Sequence, residues 1–269
     1  MSPVASEWSN LLLRWFHVFA AILWIGTTAF FTWLDARMNV EADPAGREQG
    51  IWMVHSGGFY TVEKLKVPQQ LPRSLHWFKW EAAFTWLSGF VLLNFMYYHG
   101  GLMVDTDVAN LGVWTAAGIG LATLVVGWVV YDLLWLSPLG KNEAAGAAVS
   151  YVLVVAATYG LSQMLSGRAA YMHVGAMMGT IMAANVWMRI LPAQRQLIAA
   201  VKAGAAPDLT LAARAKQRSK HNTFMVVPVV LIMVSNHYPV ATYGNRYGWL
   251  ILAALLLVGA GAAKLLRRA

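Results

Sequence analysis

The sequence predicts an all-α fold, a polytopic membrane bundle of about seven transmembrane helices that forms a single domain over residues 1–269. Two observations support this prediction. Hydrophobic residues make up 58% of the chain and charged residues only 12%, with a mean hydropathy of +0.52, whereas soluble proteins carry roughly 25% charged residues. The apolar residues are also gathered into runs close to the length of about 20 residues that a bilayer core requires.

Seven apolar runs meet or approach that length. In chain order they cover residues 8–34, 80–98, 111–136, 144–165, 169–191, 222–236 and 247–264. The sixth run is short and contains Pro228, so we expect that helix to be kinked, tilted or shielded by its neighbours.

The distribution of Lys and Arg orients these spans. Residues 35–79 and 192–220 hold six basic residues each, whereas residues 99–110 hold none and the two other alternate connections hold only Arg168 and Arg246. Basic residues concentrate in cytoplasmic loops. The sequence therefore predicts an N-terminus outside and a C-terminus in the cytoplasm.

The connection at residues 35–79 is too long for a simple turn. It is rich in apolar and aromatic residues, with Gly57, Gly58, Pro68 and Pro72 as breaks. This composition predicts one or two interfacial helices on the cytoplasmic face.

Cysteine is absent from the chain, which excludes disulfides, iron–sulfur clusters and a haem attached through C-x-x-C-H. Any metal must therefore be held by His, Met or carboxylate groups. The net charge of +8 is typical of basic cytoplasmic loops and favours a lipid bilayer as partner over nucleic acid.

Four histidines fall in the outer half of the predicted bundle: His17, His99, His173 and His237. Two imidazoles on facing helices can ligate a haem b iron, and we predict His17 and His173 as this pair. His99 and His237 are alternates, or ligands of a second haem. Arg14, three residues from His17, is placed to pair with a haem propionate. The alternatives are histidines that only hydrogen-bond across helices and an Arg14 that extends to the interface.

Polar residues also collect at the cytoplasmic ends of the spans. They are Lys79, Glu81, Asp132, Arg189, His221 and Asn222. Cations fix an anion, amides read polar edges, and a carboxylate or imidazole can act as a general base. This set predicts a pocket for a planar anionic heterocycle. The alternative is that Lys79 and Arg189 are membrane anchors with Glu81 and Asp132 as their partners.

Five blocks of the sequence resemble a known family. They read RWFHVFAAILWIGTTAFFTWLD, WMVHSGGFYTVEK, LHWFKWEAAFTWLSGF, AYMHVGAMMGTIMAANVW and HNTFMVVPVVLIMVSNHYP. Together they resemble the membrane domain of the bacterial cytochrome-c-linked urate oxidases, also called urate hydroxylases. The resemblance covers most of the chain.

The resemblance implies an enzyme of the bacterial inner membrane. Members of this family oxidise urate to 5-hydroxyisourate with oxygen from water and send the electrons to a cytochrome c. Typical members have a further span and a C-terminal cytochrome c domain, and this sequence has neither. We therefore expect a separate cytochrome c as electron acceptor, or a chain that is truncated.

The candidate site residues and the family resemblance together suggest one reaction scheme. We predict that Arg189 or Lys79 binds urate, that Glu81 or Asp132 activates water, and that electrons leave through the haem. Two other functions stay open at this point. One is a purine transporter, and the other is a cytochrome b subunit that only relays electrons.

Overall fold

The computed structural model describes residues 2–38, 50–65 and 67–267. Eight α-helices follow one another in this part of the chain: α1 Pro3–Arg37, α2 Trp80–Leu93, α3 Val113–Leu136, α4 Glu143–Ser162, α5 Gly167–Ala184, α6 Leu191–Lys202, α7 Leu209–Ser235 and α8 Gly248–Leu266. A first π-helical segment, Asn94–Tyr98, extends α2. A second π-helical segment, Asn185–Ile190, joins α5 to α6.

Short polar side chains begin several of these helices. Ser2 accepts a hydrogen bond from the Ala5 amide and precedes a proline, and Asn142 and Ser166 cap α4 and α5 in the same way. Asp208 caps α7, and its hydrogen bonds from Thr210 lower the pKa of the Asp208 carboxyl. Each cap satisfies an amide that the first helical turn leaves free.

Within the described part of the chain, five helical stretches are long and apolar enough to cross a membrane, which indicates a membrane protein. They are Pro3–Arg37, Val113–Leu136, Glu143–Ser162, Gly167–Lys202 and Gly248–Leu266. The helical bundle is thus confirmed, and five predicted spans coincide with these stretches. The second predicted span corresponds to α2 with the first π segment, and the sixth to the later half of α7. The count of seven and the orientation stay predictions.

The prediction of interfacial helices between the first two spans is wrong for residues 51–62. Strands β1 (Ile51–His55) and β2 (Gly58–Val62) form an antiparallel hairpin. Ser56 and Gly57 both have positive φ, which is the backbone of a two-residue turn that matches the twist of a hairpin. The alternating β-branched and aromatic flanks therefore pair as strands. Residues 39–49 and 66 of that predicted segment lie outside the described residues.

Helix α5 is the centre of the bundle. In the stretch Gly167–Lys202, which contains α5, 56% of the residues in the apolar 18-residue window are buried. The same fraction is 11–28% in the other four stretches. Helix α5 packs against α2, α3, α4 and α7, while α1 packs mainly on α2 and α8 on α7. Consequently α5 and its π-helical extension position side chains toward several neighbours at once.

Candidate functional site

Seven polar side chains meet where the last turns of α3, the second π segment and the middle of α7 come together, and we call them the Asp132 cluster. Its members are Tyr131, Asp132, Asn185, Arg189, Arg218, His221 and Asn222.

Asp132 holds two arginines. Arg189 donates from Nε to Oδ1 of Asp132 at 2.9 Å and from Nη2 to Oδ2. Arg218 donates from Nη2 to Oδ1 at 2.9 Å. The two bonds from Arg189 fix the orientation of the carboxylate. The Arg218 side chain is 4% exposed and that of Arg189 is 39% exposed. One cation therefore lies in the interior and the other at the rim.

A second chain of hydrogen bonds runs beside this ion pair. Asn185 donates from Nδ2 to the Tyr131 hydroxyl at 3.0 Å and to Oδ1 of Asn222 at 2.9 Å. The Tyr131 hydroxyl lies 2.7 Å from Nδ1 of His221. This hydroxyl accepts from Asn185 and shares one hydrogen with Nδ1, and which of the two groups donates it depends on the tautomer of His221. Tyr131 thus connects Asn185 with His221 through hydrogen bonds.

The second π segment brings the α5 side of the cluster into place. Asn185 and Arg189 are its first and fifth residues and face α3 and α7, where Tyr131, Asp132 and Asn222 lie. π-Helical turns are rare and frequently occur at functional sites. The widened turn is therefore a local structural mark of the cluster.

Two buried atoms of the cluster have no hydrogen-bond partner within the described residues, Nη1 of Arg218 and Oδ1 of Asn185. An unpaired buried polar group costs about 1–3 kcal/mol, so the pair indicates a ligand or ordered water. One atom offers a donor and the other an acceptor. The formal charges of Arg189, Arg218 and Asp132 add up to +1. A donor, an acceptor and a net positive charge are the features that recognition of a small anion with both donors and acceptors requires.

Lys79 and Glu81 lie in a different place. The Lys79 ammonium lies 5.8, 5.3 and 5.9 Å from the ring centroids of Trp77, Trp80 and Trp187, distances typical of cation–π contacts. Oε2 of Glu81 and Nε1 of Trp187 are buried without a partner within the described residues. Trp187 lies between Asn185 and Arg189 in the π segment, but its ring faces α2. Lys79 and Glu81 are therefore on the opposite side of the π segment from the Asp132 cluster.

The structure therefore brings together four of the six polar residues predicted from the sequence: Asp132, Arg189, His221 and Asn222. It also adds three residues that sequence reasoning missed, Tyr131, Asn185 and Arg218. In the sequence Arg218 stands out only as one of the six basic residues of the loop 192–220. It nevertheless lies three and four residues before His221 and Asn222, on the same helix face. That spacing was the available signal, whereas nothing in the sequence marked Tyr131 or Asn185.

His173 is fully buried in α5. Nδ1 lies 2.8 Å from the Ala169 carbonyl and Nε2 lies 3.2 Å from the Tyr98 hydroxyl. Since a carbonyl only accepts, Nδ1 carries the hydrogen and the Tyr98 hydroxyl donates to Nε2. A Cβ at Gly120 of α3 would lie 2.5 Å from Nε2. The lone pair of this imidazole is thus already used, and α3 lies directly against it.

The other predicted outer residues are dispersed. Nδ1 of His17 lies 3.0 Å from the Ser88 hydroxyl, on the side of α2 that faces α1. Arg14 donates to Oδ1 of Asn10 and to Sδ of Met96. The two alternates, His99 and His237, are exposed.

These positions do not fit a porphyrin shared by His17 and His173. Trp86 of α2 donates to Thr180 of α5, whereas Ser88 of α2 faces His17, so α2 separates the two imidazoles. His173 also lacks both a free lone pair and space at Nε2. The haem pair stays a prediction from the sequence.

Comparison with known proteins gives one assignment. The comparisons with curated proteins and with solved structures give no significant match. The family model described as urate oxidase N-terminal matches residues 3–268, which is nearly the whole chain. The chain therefore belongs to the urate oxidase N-terminal family.

Proposed function

We propose that this chain is a membrane-bound oxidoreductase that oxidises urate to 5-hydroxyisourate at the Asp132 cluster. The reaction consumes one urate and one water and yields 5-hydroxyisourate, two protons and two electrons. Family membership supports the substrate. The observation that carries the choice of site is the pair of buried, unpartnered atoms, Arg218 Nη1 and Asn185 Oδ1.

The cluster matches the chemistry of urate. At neutral pH urate is a planar monoanion with several N–H groups and carbonyl oxygens. Nη1 of Arg218 can donate to a carbonyl or deprotonated nitrogen, and Oδ1 of Asn185 can accept from a ring N–H. The net positive charge of the two arginines and Asp132 favours an anion over neutral purines. Arg189, whose side chain is 39% exposed, lies on the accessible side of the cluster.

Asp132 is poorly placed to act as the general base. Both of its oxygens are occupied by guanidinium groups, so its role is to hold Arg189 and Arg218 in position. The Tyr131–His221 pair is the better proton acceptor, since a proton taken up by the hydroxyl can pass to Nδ1 over 2.7 Å. Asp132 and Glu81 as bases stay predictions from the sequence.

Binding of urate to the purified protein in detergent tests the site. We expect Arg189→Gln to weaken urate binding about 10–100-fold, because a charge-assisted contact contributes about 1.5–3 kcal/mol. Arg195→Gln on α6 is the matched control, since Arg195 is exposed and outside the cluster. Equal affinity of Arg189→Gln and Arg195→Gln for urate would remove the cluster as the substrate site.

Turnover tests the reaction itself. With ferricyanide as a soluble electron acceptor and ¹⁸O-labelled water, the wild-type protein is expected to form 5-hydroxyisourate that carries the label. Two ferricyanide ions should be reduced for each urate consumed. A protein that binds urate but forms no labelled product, and instead moves urate across a vesicle membrane, would be a transporter.

A further inference from the structure

The side chains of Asn185 and Asn222 form a hydrogen-bonded pair of amides inside the Asp132 cluster. Asn185 is fully buried and Asn222 is 5% exposed. Nδ2 of Asn185 lies 2.9 Å from Oδ1 of Asn222, and Nδ2 of Asn222 lies 3.0 Å from the backbone carbonyl oxygen of Met182. The two amides therefore form a chain of hydrogen bonds that starts on the backbone of α5.

The Met182 carbonyl fixes the orientation of both amides. A carbonyl oxygen only accepts hydrogen bonds, so the side of Asn222 that faces it must be the NH₂ group. The Asn222 oxygen then faces Asn185, which must present its own NH₂ group there. Rotation of either amide by 180° would place two oxygen atoms against each other. The direction of the whole chain is thus determined by one backbone atom.

The carbonyl oxygen of Asn185 is the free end of this chain. Both hydrogens of its NH₂ group are used, since Nδ2 also donates to the Tyr131 hydroxyl at 3.0 Å. Oδ1 is buried and has no hydrogen-bond partner within the described residues. Because an amide oxygen has no hydrogen to give, only a donor can satisfy it. A ligand at this point therefore has to present an N–H or O–H group.

Arg218 provides the complementary group beside the same tyrosine. Its guanidinium carbon lies 4.9 Å from the centroid of the Tyr131 ring, and its Nη2 donates to Asp132. The stacking and the ion pair hold the guanidinium in place, while Nη1 is buried without a partner in the described part of the chain. One free acceptor and one free donor thus lie around Tyr131. A ring N–H next to a carbonyl, the lactam unit of an oxidised purine, offers the two opposite groups.

We propose that Asn222 is a positioning residue that makes the Asp132 cluster select ligands with such a lactam edge. It acts through Asn185, whose oxygen it holds toward the ligand N–H. This inference rests on the proposed function and names the edge of urate that the site recognises. Methylation of the nitrogen that Asn185 contacts removes the donor and leaves Oδ1 buried and unpaired, which costs about 10–100-fold in affinity. Without Asn222 the Asn185 amide is free to rotate, so that penalty should fall.

Binding of urate and of 1-, 3-, 7- and 9-methylurate to the purified protein in detergent tests this role. The quantity compared is the ratio of dissociation constants, methylurate over urate, because a general loss of affinity acts on both ligands and cancels. In the wild-type protein this ratio should reach about 10–100 for the isomer that blocks the contact. Asn222→Leu removes the acceptor of the Asn185 NH₂ group and should lower that ratio at least about threefold, since residues of one hydrogen-bond network are coupled.

Two matched variants separate positioning from packing. Asn222→Asp, with a hydrogen on the oxygen that faces Met182, keeps an acceptor for Asn185 and should keep the wild-type ratio within about twofold. Thr223→Val changes the next buried residue, whose hydroxyl lies against Ser219 and Thr32, and should keep it as well. Asn222→Ala loses the same acceptor with a smaller side chain and repeats the test if circular dichroism shows that Asn222→Leu does not fold.

Three results would overturn this inference and leave the proposed function standing, because urate would still bind. The first is an unchanged ratio in Asn222→Leu. The second is equal binding of urate and all four methylurates by the wild-type protein, which would mean that Oδ1 of Asn185 faces ordered water. The third is an equal fall of the ratio in Asn222→Leu and Thr223→Val, which would show a general loosening of α7. Absence of urate binding to the wild-type protein would instead overturn the proposed function, and the inference with it.

Discussion

Asp132 is held by two cations whose surroundings differ greatly. The Arg218 side chain is 4% exposed and the Arg189 side chain 39%. The interior arginine has lost almost all contact with solvent and depends on Asp132 for compensation of its charge, whereas the rim arginine can return to water. Residues of the same type in one ion-pair group therefore have different structural roles.

Loss of the carboxylate should be much more costly than loss of the rim cation. We expect Asp132→Asn to destabilise the protein by about 3–5 kcal/mol, because it leaves a buried, uncompensated guanidinium. Arg189→Gln should cost only about 0–1 kcal/mol, since its charge is partly solvated. Chemical unfolding in detergent, followed by circular dichroism, measures both. Equal losses for the two variants would contradict the assignment of Arg218 as the interior cation.

Gly120 provides the space for His173. A Cβ there would lie 2.5 Å from Nε2 of His173 and 3.1 Å from the Tyr98 hydroxyl. We expect Gly120→Ala to destabilise the protein by about 1–3 kcal/mol through overpacking. Gly118 is on the same helix, and a Cβ added to it would meet nothing within 4 Å, so Gly118→Ala should be neutral or slightly stabilising. Melting temperatures of the two variants compare them, and equal values would mean that α3 can move away from α5.

Sequence reasoning found the charged part of the candidate site better than its neutral part. Asp132 and Arg189 stand out because charge within an apolar run is rare. Asn185 and Tyr131 are ordinary residues of a membrane helix until the fold shows their partners. The pairing of histidines could not be predicted, because the sequence does not reveal which face of α2 lies toward each imidazole.

At the scale of elements, local chemistry explains where prediction succeeded and failed. Long apolar runs predicted most helices, since length and hydropathy act within one segment. The hairpin at residues 51–62 was missed because its turn depends on positive φ at Ser56 and Gly57, whereas a glycine pair in an apolar segment is equally typical of a helix break. The two π segments left no mark in the sequence, since one widened turn does not alter the pattern of apolar residues.

The contact between α7 and α8 depends on a glycine opposite a proline. A Cβ at Gly259 would lie 2.8 Å from both N and Cα of Pro228, and these backbone atoms cannot rotate away. Close approach at small residues is a usual basis of helix packing in membranes. Gly259→Ala is therefore expected to lower the free energy of unfolding by about 1–3 kcal/mol. Gly261→Ala is the matched control, with open space at its Cβ position. Unchanged unfolding of Gly259→Ala would show that α8 is loosely held.

On the scale of the whole molecule, the other helices pack around α5, and burial decreases from α5 toward the periphery of the bundle. The most buried stretch is also the one that carries His173, Asn185 and Arg189, while the peripheral helices expose large apolar side chains. The composition predicted this embedding in lipid, because it sums over the whole chain. It could not predict which helix is central, since the hydropathy of the α5 stretch, 1.3, is close to the 1.5 of the peripheral α1.

The distribution of basic residues predicts the orientation of the whole molecule in the membrane. Because the chain has no cysteine, single introduced cysteines can test this orientation. Gln70 lies in the basic segment before α2, and Val240, 87% exposed, lies in the poorly basic connection between α7 and α8. By the positive-inside rule we expect Val240 outside and Gln70 in the cytoplasm. In intact cells, Val240→Cys should react with a membrane-impermeant maleimide and Gln70→Cys should react only after permeabilisation. The unsubstituted chain supplies a background without thiols. The reverse pattern would place the Asp132 cluster on the outer side, away from the cytoplasm where urate is formed.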